Sequence, residues 1–129
     1  MSQENVELAK RLFGEEIGGE SRVAESFHPD VEFLPLRAAT EGAYRGIDDM
    51  ERFFADTLEV FEKFEPHYEF LDVGGRVLAW GKIHVRARGS GIETDIPTGG
   101  ILQFRDGKIV RWEDFGSKEK ALEALGLEG

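Results

Sequence analysis

The sequence predicts an α+β fold in which N-terminal helices pack on one face of a curved, mostly antiparallel sheet. Two observations predict it. Apolar residues recur with a helical period in the first half of the chain, and the period changes to the two-residue alternation of strands in the second half. Turns that contain glycine separate the strand segments, as is typical of antiparallel hairpins. The length of 129 residues fits a single domain, residues 1–129.

The first half of the chain predicts helices. An apolar stripe begins behind Ser2 and ends before Gly18-Gly19, and a short helix follows from about Ser21 to Phe27. A first strand is predicted at Val31–Pro35. The strongest signal is a long helix over Ile47–Phe64, whose wide apolar face consists of Met50, Phe53, Phe54, Thr57, Leu58 and Phe61.

The second half predicts a meander of four strands closed by a helix. The hairpin turns contain glycine, which accepts the positive φ that tight turns require. The predicted strands are Pro66–Val73, Arg76–Arg88, Glu93–Arg105 and Lys108–Phe115, and the last helix is Lys118–Leu125.

Composition and charge exclude several classes of function. Lys and Arg total 16 against 26 Asp and Glu, and a net charge of −10 disfavours nucleic acid and anionic membrane surfaces as partners. No apolar run reaches the length of a membrane span, so we expect a soluble, cytoplasmic protein. Cysteine is absent, which excludes a thiol nucleophile, a cysteine zinc site and disulfides. The histidine spacing matches no metal motif, and no cofactor is predicted.

Alternation assigns the strand residues to two faces. In the predicted strand Arg76–Arg88, a small apolar row that includes Gly81, Ile83 and Val85 should face the helices. The opposite row should face water or a second copy of the chain, and it contains Trp80, His84 and Arg86.

Asp114 is unusual because alternation places it on the same row as Val110 and Trp112, inside the fold. Burial in an apolar site penalises the charged carboxylate and raises its pKa, which suits a proton carrier near neutral pH. The alternative is that the strand ends at Trp112, so that Asp114 is exposed or caps the final helix. Tyr44, before the long helix, and Thr98, beside Pro97, are candidate hydrogen-bond donors to a substrate oxygen. Their alternatives are a rim aromatic packed on the helix and a strand residue without a catalytic role.

Five segments carry a resemblance to a known family, namely FHPDVEF (27–33), YRGIDDMERFF (44–54), RARGSGIE (86–93), FRDGKIVRWEDF (104–115) and KEKALEALGL (118–127). They resemble SnoaL-like proteins of the nuclear transport factor 2-like superfamily over nearly the whole chain. The resemblance implies a cone-shaped fold with a pocket at its open end. It also implies pairing as a homodimer through the outer sheet face, here Trp80, His84 and Arg86. Members include ketosteroid isomerases, polyketide cyclases, epoxide hydrolases and dehydratases.

The chain departs from the catalytic pattern of that family. The acidic residue that SnoaL-type cyclases carry after the last strand aligns with Gly116 or Ser117, and their turn histidine aligns with Arg88. Asp114 is therefore the acid retained as a candidate.

Two hypotheses follow. The first is a cofactor-free acid–base enzyme (isomerase, cyclase, dehydratase or hydrolase) that acts on a small apolar metabolite, with Asp114 and Tyr44 as catalytic candidates. The second is a non-catalytic domain that binds an apolar metabolite or forms a protein-interaction dimer. For either one, the predicted ligand-lining residues are Phe13, Phe54, Leu58, Ile83, Val85, Thr98 and Trp112.

Overall fold

The computed structural model describes residues 2–14, 26–36 and 42–126, and within the first helix it describes the side chains of residues 4–10. Helices and strands follow the order that the sequence predicts. They are α1 (Ser2–Gly14), β1 (Phe27–Leu34), β2 (Tyr44–Arg45), α2 (Gly46–Val60), β3 (Phe61–Val73), β4 (Arg76–Ala87), β5 (Glu93–Arg105), β6 (Lys108–Asp114) and α3 (Lys118–Ala124).

The strands form one curled sheet with the order β2-β1-β6-β5-β4-β3. Consecutive strands from β3 to β6 pair antiparallel, as the glycine turns predict. The pairing of β1 with β6 is parallel, and it places the first strand of the chain beside the last one. The α+β class is therefore confirmed, and the sheet is mostly antiparallel.

The structure differs from the sequence prediction in several places, one of which is strand β3, which begins at Phe61 instead of Pro66. The long helix ends at Val60 instead of Phe64, because Phe61 already pairs with Ala87 and the ladder with β4 replaces helical hydrogen bonds. Strand β1 begins at Phe27, four residues before the predicted start. The two-residue strand β2 was not predicted. The proposed ending of the first helix at Gly18-Gly19 and most of the short helix from Ser21 lie outside the described residues.

The main core lies on the sheet face that α1 and α2 cover, which we call the inner face. It joins Val6 and Ala9 of α1 to Met50 and Phe54 of α2. The sheet contributes buried side chains from four strands, namely Phe27, Val31, Phe33, Val77, Ala79, Leu102 and Ile109. The inner row predicted for β4 therefore does face the helices.

The opposite face, which we call the outer face, is partly covered by α3. Ala121 of α3 is buried against Leu78 and Ile101, which alternate with the inner-face residues of their strands. The connection to α3 passes close over Gly99, where an added Cβ would lie 2.2 Å from the carbonyl oxygen of Ser117. Glycine at this position therefore allows the C-terminal segment to cross from β6 onto the outer face.

A β-bulge in β6 corrects one detail of the predicted facing. The register shifts between Gln103, which pairs with Arg111, and Phe104, which pairs with Ile109. Val110 is the extra residue, so Ile109 takes the buried inner position and Val110 is only partly buried. The alternation that put Val110 in one row with Trp112 is therefore wrong at that residue.

Candidate functional site

Asp114 ends β6 on the inner face, opposite Gly100 of β5. Its Oδ1 atom accepts hydrogen bonds from the backbone N–H of Gly116 at 2.9 Å and from the hydroxyl of Thr98 at 3.3 Å. The backbone N–H of Gly99 donates a further bond to the carboxylate. Gly116 lies in the connection to α3. The carboxylate of Asp114 therefore joins the end of β6 both to Thr98 of β5 and to the turn that leads into α3.

A tyrosine that the sequence interpretation did not select extends this arrangement. The side chain of Tyr68 on β3 lies beside Thr98, and it is close enough to Asp114 for the charge of that carboxylate to raise its pKa. A threonine hydroxyl has one proton to donate, and Thr98 donates it to Asp114. Tyr68, Thr98 and Asp114 therefore form a contiguous row of polar side chains, which we call the polar line.

Gly81 makes this line geometrically feasible. Tyr68 pairs with Gly81, and Gly81 pairs with Thr98, so the three residues form one cross-strand row on the inner face. Without a side chain in the middle of the row, the Tyr68 ring can lean over β4 and reach β5. The φ of Gly81 is +149°, and an added Cβ would lie 2.1 Å from the carbonyl oxygen of His67.

Burial sets the proton affinities of the two ends of the line. Desolvation raises the pKa of Asp114 above its ordinary value, and the hydrogen bonds from Gly116, Thr98 and Gly99 oppose that rise. Desolvation also raises the pKa of Tyr68, and the charge of Asp114 adds to the rise. Tyr68 therefore stays protonated as a hydrogen-bond donor, while Asp114 holds a proton more readily than an exposed aspartate does.

Apolar side chains occupy the next row of the inner face. Ile83 and Ile96 are cross-strand partners beside the pair Gly81 and Thr98, and neither is fully buried. On α2, Leu58 is also exposed to solvent. Leu58 and Ile83 of the predicted lining are therefore accessible to a ligand, as is Thr98 in part, and Ile96 is an accessible residue that the predicted lining did not include.

Other predicted lining residues lie deeper. Phe54 is part of the core, and Val85 is 1% exposed, so neither side chain is accessible to a ligand. The side chain of Phe13 lies outside the described part of the chain.

Tyr44 and Trp112 belong to an aromatic cluster around Phe33. The ring of Trp112 stacks on Phe33 at 4.2 Å between centroids. Tyr44 stacks on Phe33 at 5.9 Å and meets Phe53 edge to face at 5.2 Å. Within the described residues, no hydrogen bond joins Tyr44 to Asp114. The structure therefore brings Thr98 to Asp114, whereas Tyr44 lies in the packing around the start of α2.

The three residues expected at a dimer interface lie on the outer face and have partners within the chain. Trp80 lies beneath the ammonium group of Lys118, at 4.4 Å from the ring centroid. His84 is held between Asp95 at 2.7 Å and Glu93 at 2.9 Å, and hydrogen bonds to both acids raise its pKa. Arg86 lies 3.7 Å from Glu62.

Within the described ranges, no three His, Asp or Glu side chains are grouped so that they could hold a metal ion. In the same residues, no helix is both long and apolar enough to cross a bilayer.

The comparison with family models decides the family. Residues 18–112 match the model of the SnoaL-like domain, which is well over half of the chain. The chain belongs to the SnoaL-like domain family. Among proteins of curated function, none gives a significant match.

Solved structures show that this SnoaL-like protein has the fold of the nuclear transport factor 2-like and ketosteroid isomerase-like proteins. A candidate SnoaL-like polyketide cyclase of Jannaschia sp. CCS1 is 23% identical, with a TM-score of 0.76 over 88% of this chain and 85% of that one. TerC, crystallised with polyporic acid, is 22% identical, with a TM-score of 0.70 over 96% and 97%. A ketosteroid isomerase-like protein of Catenulispora acidiphila, in complex with trimethylamine, is 16% identical, with a TM-score of 0.72 over 98% and 95%.

Proposed function

We propose that this SnoaL-like protein is a cofactor-independent acid–base enzyme for a small, mostly apolar substrate that contains a carbonyl group. The observation that carries the proposal is the polar line of Tyr68, Thr98 and Asp114, in which the hydroxyl of Thr98 donates to the carboxylate of Asp114. It combines a carboxyl group of raised pKa with a hydroxyl that remains protonated. Proton transfer next to a carbonyl needs such a base together with a donor to the oxygen that becomes negative.

Asp114 is the base in this proposal. Its carboxylate removes a proton from the carbon beside the carbonyl and returns it to a second position, to a leaving group or to water. Tyr68 donates its hydroxyl proton in a hydrogen bond to the substrate oxygen when a ligand displaces the contact with Thr98. Thr98 keeps the carboxylate oriented throughout, because its own bond to Asp114 does not depend on Tyr68.

The surroundings favour an apolar substrate body. Ile83, Ile96 and Leu58 lie on the same side as the polar line and are accessible in part. Burying such side chains against a ligand contributes about 25 cal/mol for each Å² removed from water. Two proteins of the same fold were crystallised with small organic molecules, polyporic acid and trimethylamine, and these molecules are reasonable first probes.

A two-step experiment tests the proposal. A thermal-shift screen with polyporic acid, steroid ketones and aromatic polyketides identifies a ligand; at about a hundred times its Kd the ligand adds roughly 2.7 kcal/mol of stability. The hit is then incubated in D₂O, and mass spectrometry follows deuterium at its enolisable carbons. We expect exchange with the wild-type protein and a loss of about a hundredfold or more with Asp114→Asn. A ligand that binds the wild type without any exchange above buffer would overturn the enzyme proposal.

The second candidate is a non-catalytic ligand-binding or protein-interaction dimer, and one observation favours it. Asp114 accepts from the N–H of Gly116 and thereby fixes the turn into α3, which is a structural role that needs no chemistry. We propose the outer face around Trp80, His84 and Arg86 as the contact between two copies. Sedimentation equilibrium tests this contact, because His84→Glu would repel Glu93, Asp95 and their copies and should shift a dimer toward monomer.

A further inference from the structure

A concave site lies on the outer face of the sheet, which is the face opposite to Asp114. It is an open groove of about 620 Å³ between the end of the sheet and the start of α2. Arg111 of β6 reaches it from the outer face, whereas Asp114 of the same strand points to the inner face. Its lining residues are Pro29, Asp30, Val31, Glu32, Arg45, Gly46, Gln103, Arg105, Val110 and Arg111. Its volume is in the range of sites that hold small organic ligands.

One glutamate organises two of the arginines. Glu32 lies between Arg45 and Arg111 in a row of paired strands. Arg45 donates to Oε2 of Glu32 from Nε at 3.1 Å and from Nη2 at 2.9 Å. Arg111 donates from Nη1 to Oε1 of the same carboxylate. Because both oxygens of Glu32 are occupied, the two guanidinium groups are held in fixed positions with one negative charge between them.

The arginines retain unused donors on the solvent side. Glu32 is 26% exposed, whereas the exposed fractions are 71% for Arg45 and 59% for Arg105. Arg105 lies 3.9 Å from Asp30, which is an ion pair without a hydrogen bond. The groove lining holds three positive and two negative side chains, and Glu113, just outside the lining, accepts from Nη2 of Arg111 at 3.5 Å. The groove thus concentrates arginines in a protein whose net charge is −10.

The start of α2 adds to the positive potential of the groove. Gly46, the first residue of this 15-residue helix, lines the groove, and no side chain caps the helix N-terminus. The first turn also carries Asp48 and Asp49, and Asp49 is engaged, because Oδ2 accepts from the backbone N–H of Arg45 and Oδ1 pairs with Arg52. The N–H groups at a helix start favour an anion, and Gly46 brings this helix start to the edge of the groove.

We propose that this groove is a binding site for a small organic anion, which Arg45, Arg105 and Arg111 recognise through its carboxylate or phosphate group. Arginine presents parallel N–H groups that match the two oxygens of either anion. Glu32 acts as a positioning residue that fixes two of these arginines and does not contact the ligand. The site is separate from the proposed Asp114 site, so its occupant is an effector or a second substrate group and does not take part in the proton transfer.

The test uses three related probes and NMR titration of ¹⁵N-labelled protein. Benzoate and phenyl phosphate carry the two candidate anions, and benzamide is the uncharged control. We expect saturable shifts of the amide signals of Gly46, Gln103 and Arg111 with one or both anions and none with benzamide. The probe that binds more tightly identifies the preferred anionic group.

Variants distinguish this site from general charge attraction. Arg105→Gln leaves the Glu32 network intact and should weaken binding about tenfold, the effect of one lost charge-assisted hydrogen bond. Arg88→Gln, just beyond the opposite end of β4, is the matched control and should leave the affinity unchanged.

Three outcomes would overturn the proposal. One is equal weakening by Arg105→Gln and Arg88→Gln, which would indicate nonspecific attraction. Another is the absence of saturation by either anion at about 10 mM, a concentration well above the Kd of a weak site. The third is a protein that sediments as a dimer and is converted to monomer by Arg105→Gln, which would identify the groove as an interface between copies.

Discussion

The hydroxyl of Thr98 donates to the carboxylate of Asp114 at 3.3 Å and so joins β5 to β6 across the inner face. The bond runs diagonally, because the direct partner of Asp114 in the ladder is Gly100. Thr98 also lies beside Tyr68, which is on the far side of β4, in the row that passes through Gly81. One side chain therefore lies between Tyr68 and Asp114 and helps to lower the pKa of the candidate base against the effect of burial.

Replacing Thr98 tests this connection. In Thr98→Val the carboxylate loses a donor that lowers its pKa, so the pKa of Asp114 should rise further. The partly buried carboxylate of Asp114 loses a hydrogen-bond donor, which costs about 1–3 kcal/mol of stability. Carboxyl ¹³C NMR titration measures the pKa, and urea denaturation measures the stability. Thr98→Ser is the matched control, since it keeps the hydroxyl. Identical titration of Asp114 in both variants would show that Thr98 does not tune it.

The stability of the protein should depend on pH through Asp114. The pKa of Asp114 is raised in the folded state above its ordinary value of 3.8, so the folded state binds this proton more tightly than the unfolded state does. The resulting stabilisation is complete below pH 3.8 and is lost as the pH rises through the raised pKa. Asp114→Asn cannot titrate, and its amide oxygen can still accept from Gly116. We expect the variant to gain stability relative to wild type between pH 3 and pH 8, measured by thermal unfolding. A relative loss at pH 8 would mean that the charged carboxylate stabilises the fold.

His84 should produce a second pH dependence. Both ring nitrogens face carboxylates, so both bonds are satisfied only by the imidazolium form, and the pKa is raised above 6.5. The contribution is complete below pH 6.5 and disappears as the pH rises through the raised pKa. The Tm difference between wild type and His84→Gln should therefore be largest near pH 6 and should disappear at alkaline pH. The control is His67→Gln on the neighbouring strand. A constant difference across this range would contradict the predicted ionic role.

Gly81 should tolerate no side chain. An added Cβ would meet the carbonyl oxygen of His67 at 2.1 Å, and the position already has a φ of +149°. We expect Gly81→Ala to cost more than about 2 kcal/mol in urea denaturation, because a backbone shift must accompany the strain. Gly89→Ala is the control, at a φ of +84° with open space around it, and should cost about 1 kcal/mol. Equal losses would show that φ alone accounts for the effect at Gly81.

Much of the fold was predictable because its signals are local. The two-residue alternation and the glycine turns gave β4, β5 and β6 to within one residue of their observed ends. The helical stripe of α2 was predicted in position but not in length. Pairing of Phe61 with Ala87 ended that helix early, and a tertiary partner of this kind leaves no mark on the local pattern.

The candidate site was predictable only in part. Alternation selected Asp114 and Thr98, because both lie on inward rows. It did not select Tyr68, whose relevance depends on the register of three strands and on the missing side chain of Gly81. The available signal was the position of Tyr68 two residues from both Pro66 and Phe70, which places all three on the same face of the strand.

The sequence by itself determined the class of fold, the order of its strands along the chain and the family. These follow from periodicity, turn residues and motifs, which neighbouring residues encode. Only the tertiary structure decided which side chains meet: Tyr68 with Thr98 across Gly81, and Arg45 with Arg111 across Glu32. The physical reason is that cross-strand contacts depend on register, and a shift of one residue turns every side chain of a strand to the opposite face.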